Sequence, residues 1–67
     1  MKGDDTLREN LIAARHKKGY TQLILAQMIN TSVRNYQYLE AGTSRGSMKL
    51  WQKLSVILNE DIDHLIT

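Results

Sequence analysis

Sixty-seven residues are enough for one small domain with a limited interior, and the absence of cysteine excludes a disulfide framework and thiolate zinc sites. The formal net charge of +2 permits a nucleic-acid partner without requiring one. There is no 18-residue apolar run, and no apolar stretch follows the amino-terminal lysine, so neither membrane insertion nor secretion is expected and a reducing cytoplasm is the natural setting.

In chain order, residues 1–5 read as a flexible lead. Thr6-Leu7-Arg8-Glu9 then has the spacing of a capping box and opens a helix running to about Lys18. Leu7, Leu11 and Ala14 form its inner stripe, Lys17 and Lys18 suit the negative end of its dipole, and Gly19 ends it. Tyr20 is expected to tuck under the following turn.

The second helix starts from Thr21 as N-cap and buries Leu25, Ala26 and Ile29. Asn30 should end it, since asparagine is second only to glycine in tolerating a left-handed conformation. Ser32 caps a third helix that stops at Gly42. At 100° per residue, Tyr36 and Leu39 point together, while Val33, Arg34, Gln37, Tyr38 and Ala41 occupy the opposite arc.

A loop over 42–47 leads to a fourth helix from Ser47 to about Leu58, with Met48, Trp51, Leu54, Ser55 and Leu58 on one stripe and Asn59 as its stop. A short fifth helix from Asp61 adds Ile62, Leu65 and Ile66 to the core. The expected fold is all-α, a five-helix bundle containing a helix-turn-helix. With no proline and no low-complexity tract, one domain over 1–67 is expected.

The outer arc of the third helix carries the chemistry. Arginine pairs bidentately with guanine O6 and N7, glutamine with adenine N6 and N7, and valine can touch a thymine methyl. Arg34, Gln37, Val33 and Tyr38 are therefore base-reading candidates for double-stranded DNA, where a plain solvated face would carry Glu and Lys. The loop residues Thr43, Ser44 and Arg45, with their backbone amides, look suited to phosphates, which fix register without reading sequence. Arg34, Arg45, Lys49 and Lys53 make the middle of the chain its positive part, with Asp4, Asp5, Glu60, Asp61 and Asp63 toward the ends.

Taken together, Arg15 to Gly19, Thr21-Gln22, Leu25-Ala26, Ser32, Leu39-Glu40-x-Gly42 and Ile62-Asp63-x-Leu65 resemble the Cro/C1-type (Xre) helix-turn-helix family, with its lambda-repressor-like DNA-binding domain. The resemblance spans roughly Leu7 to Ile66. It implies a structural salt bridge between Arg15 and Glu40, tying the first helix to the recognition helix. It also implies phosphate contacts from Thr21, Gln22 and Ser32, and base or nearby backbone contacts from Val33, Arg34, Asn35, Gln37 and Tyr38. The chain makes three departures from the family pattern: Asn30 replaces the usual turn glycine, Gly46 the common proline, and Leu23 and Ile24 are apolar where polar residues are usual. The last departure suggests that something packs there.

Other residues invite sharper readings that their positions weaken. Trp51 could stack a nucleobase but sits on the buried stripe. His16 and His64 lack companion ligands at metal spacing, and Asp61 and Asp63 fall on different helix faces. No phosphate loop, nucleophile elbow or acid-base set appears, so no enzyme, cofactor or metal is expected.

One recognition helix reads too few base pairs to choose a genomic site, so a homodimer on a palindromic operator is expected, at the nucleoid when bound. Family analogy favours the loop after the recognition helix and the last two helices as the interface, with Val56 as an apolar candidate; Leu23 and Ile24 with Ile12 form a competing patch. The alternative is an interaction module such as an antitoxin or adaptor. No inducer pocket is expected, so relief of binding falls to a partner protein, proteolysis or dilution.

Overall fold

Positive-φ residues mark where helices stop, and four of them divide this chain. Gly19 (φ 78°), Asn30 (φ 59°), Gly42 (φ 80°) and Asn59 (φ 56°) each follow a helix in the left-handed region. The computed structural model describes residues 7–66, with α1 over Glu9–Lys18, α2 over Gln22–Met28, α3 over Val33–Ala41, α4 over Met48–Leu58 and α5 over Ile62–Ile66. Among the described residues there is no strand, and the architecture is an all-α bundle with a helix-turn-helix at α2 and α3. The expected flexible lead over 1–5 and the Thr6 cap lie outside the described residues.

Side-chain caps open three of the helices. Thr21 Oγ1 accepts from the Ile24 amide at 3.1 Å, Ser32 Oγ from Asn35 at 3.0 Å and Ser47 Oγ from Leu50 at 3.1 Å. Each satisfies an amide that the first turn leaves without a helical partner. α1 differs from expectation: it begins at Glu9, with Arg8 in the N-cap position and no side-chain cap.

The core is Leu11 and Ala14 from α1, Leu25 and Ala26 from α2 with Ile29 after it, Tyr36 and Leu39 from α3, Trp51, Leu54 and Leu58 from α4, and Leu65 from α5. Each fully buried leucine contributes about 1.5–3 kcal/mol, so five helices this short hold one another rather than standing alone. Tyr20, Val33, Leu50, Ile57 and Ile62 pack around the margin.

The expected stripes were too wide at their ends. Leu7 precedes the helix and is exposed, Met48 is exposed at the first position of α4, and Ile66 is exposed at the last of α5. The apolar arc of α4 is completed instead by Leu50 and Ile57. At a helix end the neighbouring elements have already diverged, so a residue with the right phase has nothing to pack on. Ser55 is half-buried because its hydroxyl donates to the Glu60 carbonyl at 2.6 Å and helps end α4.

Candidate nucleic-acid interface

Two caps and one left-handed asparagine set the angle between α2 and α3. The Thr31 amide returns to the Ala26 carbonyl at 2.9 Å and the Asn30 amide to Gln27 at 3.1 Å, closing α2, and Ser32 immediately opens α3. Asn30 thus supplies the backbone conformation for which glycine is the usual choice.

On α3, Tyr36 and Leu39 are buried while Arg34, Asn35, Gln37 and Tyr38 are exposed. Val33 does not stand on the free arc as expected: it is half-buried and packs against the core, because the first residue of α3 lies close to the turn. Asn35 Nδ2 donates to Thr31 Oγ1 at 2.9 Å, holding that amide over the turn. Gln37 Nε2 donates to Gln22 Oε1 at 3.1 Å, so the first residue of α2 meets the outer face of α3.

Behind this face lies a buried polar cluster. Arg15 Nε donates to Glu40 Oε2 at 2.6 Å, the Tyr36 hydroxyl donates to the same oxygen at 2.6 Å, and Gln22 Nε2 donates to Glu40 Oε1 at 2.8 Å. Arg15 Nη1 also reaches the Tyr20 carbonyl at 2.9 Å. Among the described residues no buried side-chain nitrogen or oxygen lacks a partner, the condition under which a buried ion pair is tolerated.

The titration behaviour follows from this geometry. Burial pushes the Glu40 carboxyl up, but hydrogen bonds from Arg15, Tyr36 and Gln22 and the Arg15 charge outweigh it and hold the group below its usual value. Burial opposes the Arg15 charge, yet Glu40 raises its pKa overall. Burial and the bond to Glu40 raise the Tyr36 phenol, which stays protonated as a donor.

Thr21 and Ser32 are exposed at the openings of α2 and α3, and each hydroxyl already accepts a capping amide, leaving its proton to give. Gln22 is half-buried and shared between Glu40 and Gln37, which leaves one N–H of its amide for a further acceptor.

The loop after α3 requires a correction. Its backbone amides were expected to cradle phosphates, but those of Thr43 and Ser44 both donate to the Tyr38 carbonyl, at 3.1 and 3.3 Å, and Gly46 donates to Ser44 Oγ at 3.3 Å. Spending these amides inside the loop is what gives it a fixed shape. Thr43 also turns its hydroxyl to the Tyr38 carbonyl at 3.4 Å, so Arg45 is the exposed cation the loop presents.

Sequence reasoning missed Arg8. Its Nη1 donates to the carbonyls of Leu39 at 2.6 Å and Ser44 at 2.7 Å, its Nε to Ile66 at 3.3 Å, and its guanidinium lies 5.1 Å from the centre of the Trp51 ring. Burial lowers its pKa. Trp51 is a core residue whose Nε1 donates to the Arg45 carbonyl at 2.7 Å, which ties the loop after α3 to α4. No sequence signal marks Arg8, since its acceptors are main-chain atoms far along the chain.

The apolar candidates for a protein partner sit on separate helices. Val56, 81% exposed, borders a shallow depression with Lys49, Gln52, Lys53 and Ile57 on α4. Leu23, Ile24 and Met28 are exposed on α2, while Ile12 on α1 is half-buried.

No group of three or more possible metal-ligating side chains occurs among the described residues, and no described helix is long and apolar enough to cross a membrane. No curated protein and no solved structure matches the chain. A family model described as helix-turn-helix matches residues 11–65, from within α1 to the last turn of α5. That match covers most of the sequence and coincides with the capped two-helix turn and the buttressed third helix, so the chain belongs to the Cro/C1-type helix-turn-helix family of DNA-binding proteins.

Proposed function

We propose that this protein is a sequence-specific transcriptional repressor that binds a palindromic operator in double-stranded DNA as a homodimer, with α3 in the major groove. The observation that carries the reading is the outer face of α3. Arg34, Asn35, Gln37 and Tyr38 stand exposed together on a helix whose other side is anchored by Tyr36, Leu39 and Glu40. A rigid helix presenting a forked cation and amides matches the donor and acceptor pattern of base edges.

In this reading Arg34 and Gln37 read bases, with Asn35, Tyr38 and the exposed part of Val33 beside them. Thr21, Gln22, Ser32, Ser44 and Arg45 hold phosphates, in the loop through side chains because the Thr43, Ser44 and Gly46 amides are engaged, and Thr43 joins them by turning its hydroxyl away from the Tyr38 carbonyl. The dimer supplies two copies of α3 about one helical turn apart.

Selection of binders from a random duplex library at about 0.1 M salt, repeated with Arg34→Ala, tests the reading. A palindromic motif is expected, degraded by the variant at one position per half-site. Absence of any motif would sink it, and sedimentation showing a monomer both free and on the selected DNA would remove the dimer.

A second reading has its own observation, the exposed Leu23, Ile24 and Met28 on α2. An antitoxin or adaptor would bind a protein there, and in a repressor the same patch would receive the partner that relieves DNA binding. Changing Leu23 and Ile24 to Glu should abolish partner binding in an adaptor and leave DNA selection intact in a repressor.

A further inference from the structure

One side chain on the outer face of α3 has its polarity set from inside the protein. The Glu40 carboxylate is 4% exposed, receives bonds from Arg15 and Tyr36, and is held ionised. An ionised carboxylate only accepts, so the end of Gln22 that meets Glu40 Oε1 at 2.8 Å must be the amide NH2. The Gln22 oxygen then faces Gln37, and an oxygen only accepts. Gln37 must therefore turn its own NH2 inward, at 3.1 Å.

The two ends of a glutamine amide are close in size, and a free surface glutamine offers either. Here the hydrogen bonds run in one direction, from Gln37 to Gln22 to Glu40. Gln37 Oε1 accepts no bond within the protein among the described residues and is the end turned away from Gln22.

We propose that Gln22 is a positioning residue for base selection: it locks Gln37 with its carbonyl oxygen outward, so that α3 selects adenine or cytosine at one position of each half-site. This rests on the reading of α3 as the groove-reading helix. Adenine N6 and cytosine N4 are the amino groups on the major-groove edges, whereas guanine offers N7 and O6 and thymine O4, all acceptors. Against an outward carbonyl, guanine or thymine sets oxygen against acceptor and leaves both without a donor. Gln37 Nε2 keeps a second N–H that can reach adenine N7, so adenine is preferred over cytosine.

The buried cluster thus extends from structure into specificity. A phosphate contact by Gln22 would use the second N–H of its amide and would act on all sequences alike. The two roles differ in what they do to base preference.

The experiment is selection from a random duplex library with the wild-type protein, Gln22→Leu and Gln37→Lys, each checked by thermal melting. Gln22→Leu removes the amide while Glu40 keeps Arg15 and Tyr36, and Gln37→Lys changes an exposed side chain, so its outcome does not depend on what the interior tolerates. The wild type should favour adenine or cytosine over guanine and thymine by about tenfold at one position, as expected for one good side-chain contact to a base. Gln22→Leu should cut that preference to about threefold or less while other positions hold, because the freed amide can flip. Gln37→Lys should convert the same position to guanine.

Gln22→Leu binding all sequences more weakly with the preference intact would make Gln22 a phosphate contact and overturn the proposal. An unchanged motif in Gln37→Lys would overturn it as well. A wild-type protein that enriches no motif would overturn both this proposal and the DNA-reading function, which distinguishes that failure from the others.

Discussion

Replacing Arg15 with methionine should destabilise the protein by about 3 kcal/mol, the lower end of the range for removing one partner of a buried ion pair. The structure sets the estimate. Arg15 and Glu40 are 8% and 4% exposed, and the bond between them is 2.6 Å. The substitution leaves a carboxylate buried without a counter-charge, but the Tyr36 and Gln22 donors remain, which keeps the loss below the upper limit. A domain of this length has a total stability of about 3–10 kcal/mol, so the variant falls near the edge of folding. In thermal melting the drop corresponds to about 12–24 °C.

Urea unfolding of Arg15→Met, Glu40→Leu and the double variant closes the test. The double variant should lose at least about 1 kcal/mol less than the two single losses added, because neither charge is then left alone. Acid adds a sign. Glu40 titrates lower in the folded than in the unfolded chain, so its contribution is complete above the unfolded value of about 4.5 and fades as pH falls through the folded one. The gap between wild type and Arg15→Met should therefore narrow below about pH 4.5. Single losses that simply add, or a gap that widens in acid, would refute the coupling.

Gly46→Ala should cost about 2–4 kcal/mol in urea unfolding, from left-handed strain plus overpacking. Gly46 has φ 69°, and an added Cβ would stand 2.7 Å from Leu39 Cδ2 and 2.9 Å from Trp51 Nε1; an unchanged midpoint would contradict this. Arg8→Met should cost about 2–4 kcal/mol through the lost bonds to the Leu39 and Ser44 carbonyls, again read by urea unfolding. Arg45→Ala should weaken all duplexes alike in fluorescence anisotropy and reduce the slope of log affinity against log salt by about 1. A change in base preference would instead make Arg45 a reader.

What the sequence discloses about this fold is local. Gly19, Asn30, Gly42 and Asn59 are residue types that accept positive φ, and Thr21, Ser32 and Ser47 are residue types that cap, so helix boundaries follow from single residues. The buried faces of α2 and α3 follow from 3.6-residue periodicity. The same periodicity fails at Leu7, Met48 and Ile66, because phase predicts direction and not whether a neighbour is present there. Arg8 could not be read, since its Leu39 and Ile66 acceptors are 31 and 58 residues away and are backbone carbonyls that every residue type carries. The Arg15 and Glu40 pair, 25 residues apart, comes only from family resemblance. Nothing in either neighbourhood announces the other.

Glu40 is where stability and, on the proposed reading, base selection meet. Its Oε2 takes the charge from α1 and the phenol of Tyr36, and its Oε1 takes the amide of Gln22, which in turn holds Gln37 on the exposed face of α3. A chain this short has little interior to devote to separate structural and recognition layers. A single carboxylate that accepts from both sides lets one buried cluster fix the position of α3 against α1 and the direction of an amide on its surface. A change at Glu40 would remove the anchor of the helix, whereas Arg34, Gln37 and Tyr38 are exposed, so on the proposed reading new specificities are expected to arise at those three positions and not at Glu40.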